Sequence, residues 1–347
     1  MKKLLVGMSG GVDSSAAALL LQRQGYDIAG VTLILRDGTD VQKDVSDASA
    51  VAKKLGIPHL TPDFREEFEN TVIADFRKEY SEGRTPNPCC VCNRFIKFGL
   101  MLDYALENGF DGIATGHYAV IKSTENGAAL YRSRSNKDQS YFLWALSERQ
   151  LAHSVFPLDG TEDKEFVRNL CNEAGLPTAH RKDSQEICFI PDDDYVGFLE
   201  KSGVSAPEGD FLDTSGNVIG HHSGIIRYTI GQRKGLGAFG RPVFVTDINA
   251  RSNTVTLGDD GEQYSKGLIA DKVNVISGKP LPDEFRAKVK IRFRARPEDA
   301  LIRTCEEGIE IIFDEPQRSV TPGQAAVICD GDLVVGGGRI IRKITGR

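Results

Sequence analysis

The sequence contains no apolar run long enough to cross a membrane. Among its 347 residues, no stretch approaches the ~18 consecutive apolar residues that a membrane-spanning helix needs. The apolar start at residues 4–6 is interrupted at once by Gly7 and by a polar, glycine-rich segment that contains Asp13. A secretory signal peptide would continue its apolar region for longer. We therefore expect a cytoplasmic protein with no membrane partner.

Cysteine is too scarce, and odd in number, for a disulfide framework. The chain has seven cysteines, and clustered cysteines in a reducing compartment are more often metal ligands or catalytic thiols. The pair Cys89 and Cys92 has no second Cys-x-x-Cys pair, whereas a structural zinc site usually needs four ligands. Structural zinc is thus disfavoured. We expect Cys171, Cys305 and Cys329 to be small buried hydrophobic residues.

No excess of one charge or lack of hydrophobic residues marks the chain as disordered or fibrous. It is 40% hydrophobic and 27% charged, which is ordinary globular composition. The net charge of -6 at first disfavours a nucleic-acid partner. However, residues 1–200 carry 22 basic and 30 acidic side chains, whereas residues 201–347 carry 21 and 19. The second part of the chain can therefore meet phosphates.

The first part of the chain alternates between strand and helix patterns. Strands are predicted at residues 4–6 and 28–35 and helices at 14–24 and 45–55, which implies parallel crossovers. The fold class is thus predicted as α/β, with a doubly wound parallel sheet whose ligands bind at the carboxyl ends of the strands.

After Pro207 glycine becomes dense and short β-branched runs replace the helical periodicity. We therefore expect two smaller β-rich domains after the α/β domain. The predicted boundaries are 1–205 for the α/β domain, 206–277 for a central β-rich domain and 278–347 for a C-terminal β-barrel domain.

Residues 9–14, Ser-Gly-Gly-Val-Asp-Ser, lie between the first predicted strand and helix. Two glycines let the backbone wrap around an anion, towards which the helix N-terminus directs free N–H groups. Asp13 would repel phosphate unless a cation lies between, which suggests Mg²⁺. Gly10 and Gly11 alone would fit an ordinary turn equally well. The lysine of the Walker loop is missing, so an NTPase that binds the γ-phosphate of its nucleotide is disfavoured.

The whole hexapeptide resembles the phosphate loop of the N-type ATP pyrophosphatases, the PP-loop family. This resemblance implies cleavage of ATP to AMP and pyrophosphate through an adenylated intermediate. Leu33 resembles an ATP-contacting Met of the family, and Gly116 follows a predicted strand. The residues expected to bind ATP are Gly7, Met8, Ser9, Gly10, Gly11, Val12, Asp13, Ser14, Leu33 and Gly116.

Five further segments together with the phosphate loop resemble the bacterial tRNA-specific 2-thiouridylase family, in the same order and over nearly the whole chain. They are residues 86–93, 114–118, 137–141, 183–188 and 228–237. The resemblance implies sulfuration of the wobble uridine in the tRNAs for Lys, Glu and Gln. ATP adenylates the oxygen at position 2 of the base, a persulfide sulfur attacks that carbon, and AMP leaves.

The resemblance also implies roles for two distant cysteines. Cys188 resembles the cysteine that holds the persulfide, and Cys92 resembles the partner thiol that completes transfer through a transient Cys92–Cys188 disulfide. The sulfur would come from a cysteine desulfurase or a sulfur-relay protein. Cys92 also lies near the start of a predicted helix, where the dipole favours the thiolate.

The chain departs from the family at Cys89, where many members have Asp. Cys89, Cys92 and Cys188 could therefore hold an iron–sulfur cluster with one open iron. The residues leave this chemistry open beside the persulfide relay. Another alternative is an amide-forming PP-loop ligase, which would need neither Cys92 nor Cys188 and for which no glutaminase domain is recognisable. A non-catalytic tRNA-binding protein with structural zinc is the alternative outside enzymes.

Residues 286–296 carry a cation at every second position. A period of two would place all six cations on one face of a strand about 33 Å long, at ~3.3 Å per residue. We interpret this face as RNA-binding, the alternative being a solvated strand face. A second stretch without acids, residues 214–246, offers further phosphate contacts. The cations of the two stretches are Arg286, Lys288, Lys290, Arg292, Arg294 and Arg296, and Arg227, Arg233, Lys234 and Arg241.

Contacts with tRNA are otherwise implied by the resemblance. Asn87, Pro88 and Cys89 lie where the family places the extruded target base, which must leave its stack to be modified. His117 on its own could be a surface turn residue, a base contact or an acid–base group. The complete expected set is Asn87, Pro88, Cys89, His117, Lys137, Asp138, Gln139, Arg292, Phe293 and Gln324.

Overall fold

The computed structural model describes residues 2–161, 163–179, 181, 187–190 and 192–344. Residues 183–186 of the family-like segment 183–188 lie outside the described residues. In the described part of the chain, no helix is both long and apolar enough to pass through a bilayer.

The N-terminal part alternates strands and helices, as predicted. Its elements are β1 (Lys3–Gly7), α1 (Val12–Arg23), β2 (Asp27–Val31), α2 (Thr39–Leu55), β3 (His59–Leu60), α3 (Arg65–Phe68), a first π-helical segment (Glu69–Ile73), α4 (Ala74–Ser81), α5 (Pro88–Cys92), a second π-helical segment (Asn93–Leu100), α6 (Met101–Glu107), β4 (Gly112–Ala114), β5 (Ala119–Thr124), β6 (Gly127–Arg132), a 3-10 helix (Ser140–Leu143), α7 (Glu148–Ala152), β7 (Ser154–Val155), α8 (Lys164–Glu173) and α9 (Tyr195–Lys201).

Five strands form the predicted parallel sheet, in the order β3-β2-β1-β4-β7. Its central strands are apolar on both faces, with Leu5 and Val6 fully buried, because helices cover a parallel sheet on both sides. The strand predicted at 28–35 ends earlier, at Val31, since Thr32 turns its hydroxyl to the carbonyl oxygen of Met8 (2.7 Å).

The remaining elements are mainly strands. They are β8 (Gly209–Leu212), β9 (Val218–His222), a 3-10 turn (Ile225–Arg227), β10 (Phe244–Asn249), β11 (Thr254–Gly258), β12 (Tyr264–Val275), β13 (Glu284–Lys290), β14 (Glu298–Cys305), β15 (Gly308–Arg318), β16 (Ala325–Asp330) and β17 (Leu333–Ile344). These strands confirm the predicted β-rich character of the second half.

The strands form two sheets. One has four strands in the order β10-β11-β8-β9, and the other has eight in the order β12-β15-β14-β13-β16-β17-β6-β5. The additional pairing of β12 with β17 closes β12–β17 into a barrel. The closed sheet begins with Tyr264, ahead of the predicted boundary at 277/278, because β12 pairs along its length with β15 and β17.

The β5–β6 hairpin ties the two halves of the molecule together. It belongs by sequence to the N-terminal part, yet β6 pairs with β17 through Tyr131–Leu333 and Leu130–Val334. The same strand, β17, also takes part in a buried charge network with α4. Its Arg339 contacts Asp75 (2.9 Å) and Glu79 (2.8 Å) of that helix. The catalytic part and the barrel are thus held against each other by both backbone and charge.

The prediction of a basic strand over residues 286–296 is wrong in its length, because the observed strand is shorter. The strand β13 ends at Lys290, and residues 291–297 form turns. Arg286 pairs with Asp314, and Lys288 with Asp299 (2.8 Å). Lys290 is buried over the Tyr141 and Phe293 rings. Acids from neighbouring strands, invisible in the local sequence, therefore compensate the first two cations.

The prediction for the remaining cysteines is wrong at one position. Cys171 and Cys329 are buried as expected, whereas Cys305 is exposed. Cys305 ends β14 opposite Gly308 in the β14–β15 hairpin, where the chain turns at the surface.

Candidate active site

The phosphate loop joins β1 to α1 at the carboxyl end of the parallel sheet. Gly10 has a φ of 68°, a conformation that favours glycine, and Gly11 caps α1. The hydroxyl of Ser14 receives the backbone N–H of Ser9 (3.2 Å) and donates to the Gly11 carbonyl oxygen (3.1 Å). The loop is therefore held open around the N-terminus of α1, where an anion would be bound.

Gly116 is required by the loop itself. A Cβ at this position would lie 2.8 Å from the backbone carbon of Asp13 and 3.0 Å from the backbone nitrogen of Ser14. The turn after β4 therefore packs directly on the first turn of α1. This close approach is the physical reason for a glycine there.

Asp13 already has protein partners. Its carboxylate receives the Tyr118 hydroxyl (2.8 Å) and the Lys164 ammonium (3.1 Å). The repulsion that Asp13 would exert on a phosphate is thus partly neutralised by Lys164 of α8, a residue that the sequence did not point to.

A second cation lies over the loop. Arg181 donates to the Gly10 carbonyl oxygen (3.0 Å) and to Asp47 of α2 (2.8 Å), and it also pairs with Asp44. This contact could not be predicted from sequence, because Gly10, Asp44 and Asp47 are all distant from Arg181 along the chain.

The cysteines predicted to act together lie on one side of α5 and its continuation. Cys92 belongs to the same apolar cluster as Phe189, the neighbour of Cys188. Phe189 is fixed edge-to-face against Phe68 (5.7 Å) and Phe76 (5.2 Å). Cys188 is thereby brought to Cys92 from 96 positions away in the sequence.

Cys90 faces away from this group. Its sulfur lies 4.0 Å from the Tyr141 carbonyl oxygen, in the core between the parallel sheet and the barrel. Cys89, Cys92 and Cys188 lie near one another, whereas Cys90 packs in the core, and their part in the site stays a prediction.

Burial raises the thiol pKa values in this cleft. Desolvation raises the pKa of Cys92 to about 12, against the positive charge of Lys97, which lowers it. Cys89 and Cys188 are exposed residues, yet the surrounding protein still desolvates their thiols and raises the pKa of both. The expectation that a helix N-terminus favours the Cys92 thiolate is wrong, because α5 begins at Pro88 and Cys92 is its last residue, where burial dominates the pKa.

The donor set does not fit a metal centre. Within the described ranges, no group of three or more His, Cys, Asp or Glu side chains is arranged to hold a metal ion. Cys89, Cys92 and Cys188 are thus not arranged around one common metal ion position.

Three family patterns cover the chain in succession. Residues 2–192 match the tRNA methyl transferase HUP domain, residues 197–259 the tRNA methyl transferase PRC-barrel domain and residues 265–340 the aminomethyltransferase beta-barrel domain.

Curated relatives match over nearly their whole length. The tRNA-specific 2-thiouridylase MnmA of Acetivibrio thermocellus is 48% identical over 356 residues, covering 98% of this chain and 99% of that protein. The MnmA proteins of Clostridioides difficile (47%, 99% and 99%) and Treponema denticola (48%, 97% and 97%) are similar. The chain belongs to the tRNA-specific 2-thiouridylase family.

In this 2-thiouridylase family member, His117 is half-buried after β4. Its Nδ1 lies 2.8 Å from the Thr115 hydroxyl, and its ring packs on Phe98 and Phe156. Burial, followed by the charge of Lys97, lowers its pKa well below the usual value. The imidazole is therefore neutral near pH 7 and suited to contact a neutral base.

The predicted segment 137–139 forms a tight loop. Asp138 accepts the backbone N–H groups of Ser133 (3.0 Å) and Ser140 (3.2 Å), and Gln139 accepts the N–H of Tyr118 (3.1 Å). These bonds give Asp138 and Gln139 structural partners and fix the loop that presents Lys137.

Arg292 and Phe293 lie in the turn that follows β13. Arg292 donates to the Arg318 carbonyl oxygen (2.7 Å). Phe293 is 37% exposed and rests on Phe142, with ring centroids 4.6 Å apart. An exposed ring beside Arg292 and Arg294 is a platform of the kind on which a nucleic-acid base stacks.

Asn87 and Gln324 meet in a cavity of about 510 Å³ between the catalytic part and the barrel. The Gln324 side chain donates to the carbonyl oxygens of Thr85 (2.9 Å) and Pro86 (3.2 Å). It therefore fixes the loop that leads into Asn87, Pro88 and Cys89. The structure does bring these predicted tRNA contacts together.

Proposed function

We propose that this chain is an ATP-dependent tRNA-uridine 2-sulfurtransferase that forms 2-thiouridine at the wobble position. The main support for the proposal is that a member of the 2-thiouridylase family has the phosphate loop directly before α1. It also has Cys92 in the same apolar cluster as Phe189, the neighbour of Cys188. An amide-forming ligase would have no use for these two thiols.

The loop from Gly7 to Ser14 would bind the phosphates of ATP, with Leu33 and Gly116 beside it. The free N–H groups at the start of α1 would hold the anion. Transfer of AMP to the oxygen at position 2 of the uridine, with release of pyrophosphate, would make that oxygen a good leaving group.

Mg²⁺ would enter with the nucleotide. Asp13, whose carboxylate contacts Lys164 here, is the loop residue that would hold such an ion. Mg²⁺ supplies charge neutralisation at the phosphates when it is bound.

Cys188 would carry the persulfide. Its outer sulfur would attack carbon 2 of the adenylated base, and AMP would leave. The Cys92 thiolate would then attack the inner sulfur of Cys188, forming a Cys92–Cys188 disulfide and releasing the thiouridine. A reductant would return both cysteines to thiols, and a cysteine desulfurase or sulfur-relay protein would reload Cys188.

The tRNA, of the Lys, Glu or Gln acceptor type, would lie across the catalytic part and the barrel, in the cytoplasm. Asn87, Pro88 and Cys89 would receive the extruded base. His117, Lys137, Asp138, Gln139, Arg292, Phe293 and Gln324 would complete the surface.

The test is a single incubation of the full chain with an unmodified tRNA transcript, ATP, Mg²⁺ and a persulfide donor, after removal of metal ions by a chelator and re-addition of Mg²⁺. We expect 2-thiouridine by nucleoside mass spectrometry, and none in a transcript with cytidine at the wobble position. Thiolation that depends on re-added iron would instead favour the cluster chemistry.

A further inference from the structure

Lys97 lies on a helix with an unusual register. The chain runs from α5 into a π-helical segment, Asn93–Leu100, without a break. In an α-helix, residues five apart point about 140° away from each other. In a π-helix the i→i+5 hydrogen bonds bring such residues onto neighbouring positions, and segments of this kind occur often at functional sites.

The register therefore aligns Lys97 with Cys92, which immediately precedes the π-helical segment. Cys89 lies three positions before Cys92 in α5 and shares the same face. Ile96 and Phe98 on either side of Lys97 are fully buried, whereas Lys97 itself is half-buried.

A side chain from another helix supports the π-helical segment. The Gln150 amide donates to the carbonyl oxygens of Arg94 (2.9 Å) and Phe98 (2.9 Å). Gln150 is itself fixed in α7, where it forms a capping box with Ser147. The position of Lys97 thus depends on a helical segment that Gln150 of α7 supports by hydrogen bonds.

The charge of Lys97 reaches every thiol of the site. It lowers the pKa of Cys89, Cys92 and Cys188 against the larger effect of burial, and it also lowers the pKa of His117. Two further charged groups act on the Cys188 thiol: Arg36, which precedes α2, and Asp44 within α2. Arg36 lowers its pKa and Asp44 raises it.

We propose that Lys97 is a positioning residue for sulfur transfer, whose ammonium holds the anionic sulfurs of Cys92 and Cys188 on one side of the cleft. The inference rests on the proposed sulfur-transfer function. Without this cation, an even smaller fraction of the Cys92 and Cys188 thiols would be ionised near pH 7, because desolvation already raises the pKa of both. With it, the proton of the attacking thiol passes to solvent more readily and the thiolate is drawn towards its partner.

The test measures the thiols directly and needs neither ATP nor tRNA. Iodoacetamide alkylation of Cys92 and Cys188 in the reduced full chain is followed by peptide mass spectrometry from pH 6 to pH 10. Lys97→Met is compared with Lys97→Arg, and Lys78→Met, on the exposed face of α4, is the matched control. Cys305 is the internal control for reagent and exposure.

We expect Lys97→Met to slow alkylation of both cysteines about tenfold at pH 7.5, which corresponds to an upward move of about one pKa unit. Lys97→Arg should restore most of the rate, and Lys78→Met should change nothing. If Lys97→Met does not fold, as judged by its thermal unfolding, Lys97→Gln replaces it.

Unchanged pH profiles in the Lys97 variants would overturn the inference. Equal losses of alkylation rate in Lys97→Met and Lys97→Arg at every pH would also overturn it, since they would indicate packing alone. Failure of tRNA thiolation together with the expected alkylation profiles would instead count against the proposed function.

Discussion

Arg36 donates a hydrogen bond from Nε to the backbone carbonyl oxygen of Cys188, at 3.2 Å. Arg36 follows the carboxyl end of β2 and also pairs with Asp40 at the start of α2. The segment that bears Cys188 is therefore fastened to the edge of the sheet where an α/β protein binds its ligands. The nucleotide and sulfur parts of the site share one edge of one sheet.

Replacement of Cys188 by Ser should separate the two half-reactions. We expect tRNA thiolation to be lost, because Ser cannot hold a persulfide, while tRNA-dependent formation of pyrophosphate from ATP remains measurable. Cys305→Ser, at an exposed cysteine of the barrel, is the control and should retain full thiolation. Thiolation by the Cys188 variant would remove this residue from the mechanism.

Gly116→Ala should damage the ATP site through the backbone. The added Cβ would meet the Asp13 and Ser14 backbone at 2.8–3.0 Å, and overpacking of this kind costs about 1–3 kcal/mol. We expect a lower unfolding midpoint and a higher KM for ATP. Gly220→Ala, whose Cβ would meet its nearest neighbour at an ordinary 3.7 Å, should change neither. Equal behaviour of the two variants would contradict the close approach.

The turn after β13 should contribute more to tRNA binding than the strand itself. Arg294→Gln should weaken tRNA binding and lower the slope of log K against log salt by about one. Arg286→Gln is the matched control, because Arg286 is paired with Asp314. Filter binding at several salt concentrations measures both. A larger loss of tRNA affinity for Arg286→Gln would instead support the interpretation of residues 286–296 as one continuous RNA-binding strand.

The junction between the catalytic part and the barrel should be sensitive to acid. Burial raises the pKa of Glu79, but Arg84 and Arg339 lower it further, so its folded pKa lies below its ordinary value. The stability that it contributes is therefore present above the ordinary pKa of about 4.5 and is lost as the pH falls through the folded pKa.

Arg339→Met would leave Asp75 and the buried Glu79 short of a partner. Removing one partner of a buried ion pair costs about 3–5 kcal/mol, so we expect easier urea unfolding near pH 7 and a weaker loss of stability on acidification. Arg342→Met, which breaks the exposed pair with Glu307, is the control. A similar small effect of both variants would show that the network contributes little.

The parallel sheet and the phosphate loop could be predicted because their signals are local. Alternation of short apolar strands with helices, and two glycines before a helix, are visible in a window of a few residues. The positions of Asp13 and Ser14 at the start of α1 follow from that pattern alone.

The basic segment could not be interpreted correctly from the sequence because its partners are not local. Asp299 comes from β14, which pairs with β13, and Asp314 from β15, one strand further, and only the sheet order brings them to Lys288 and Arg286. Lys97 was missed for another reason. Its alignment with Cys92 depends on a π-helical register, for which the sequence gives no signal.

The most direct test of the central claim is the ratio of nucleotide product to modified base. In a reaction with unmodified tRNA, Mg²⁺, a persulfide donor and labelled ATP, AMP and 2-thiouridine are counted together. The account predicts equal amounts of AMP, pyrophosphate and 2-thiouridine. ADP as the product, or 2-thiouridine formed without ATP, would contradict it.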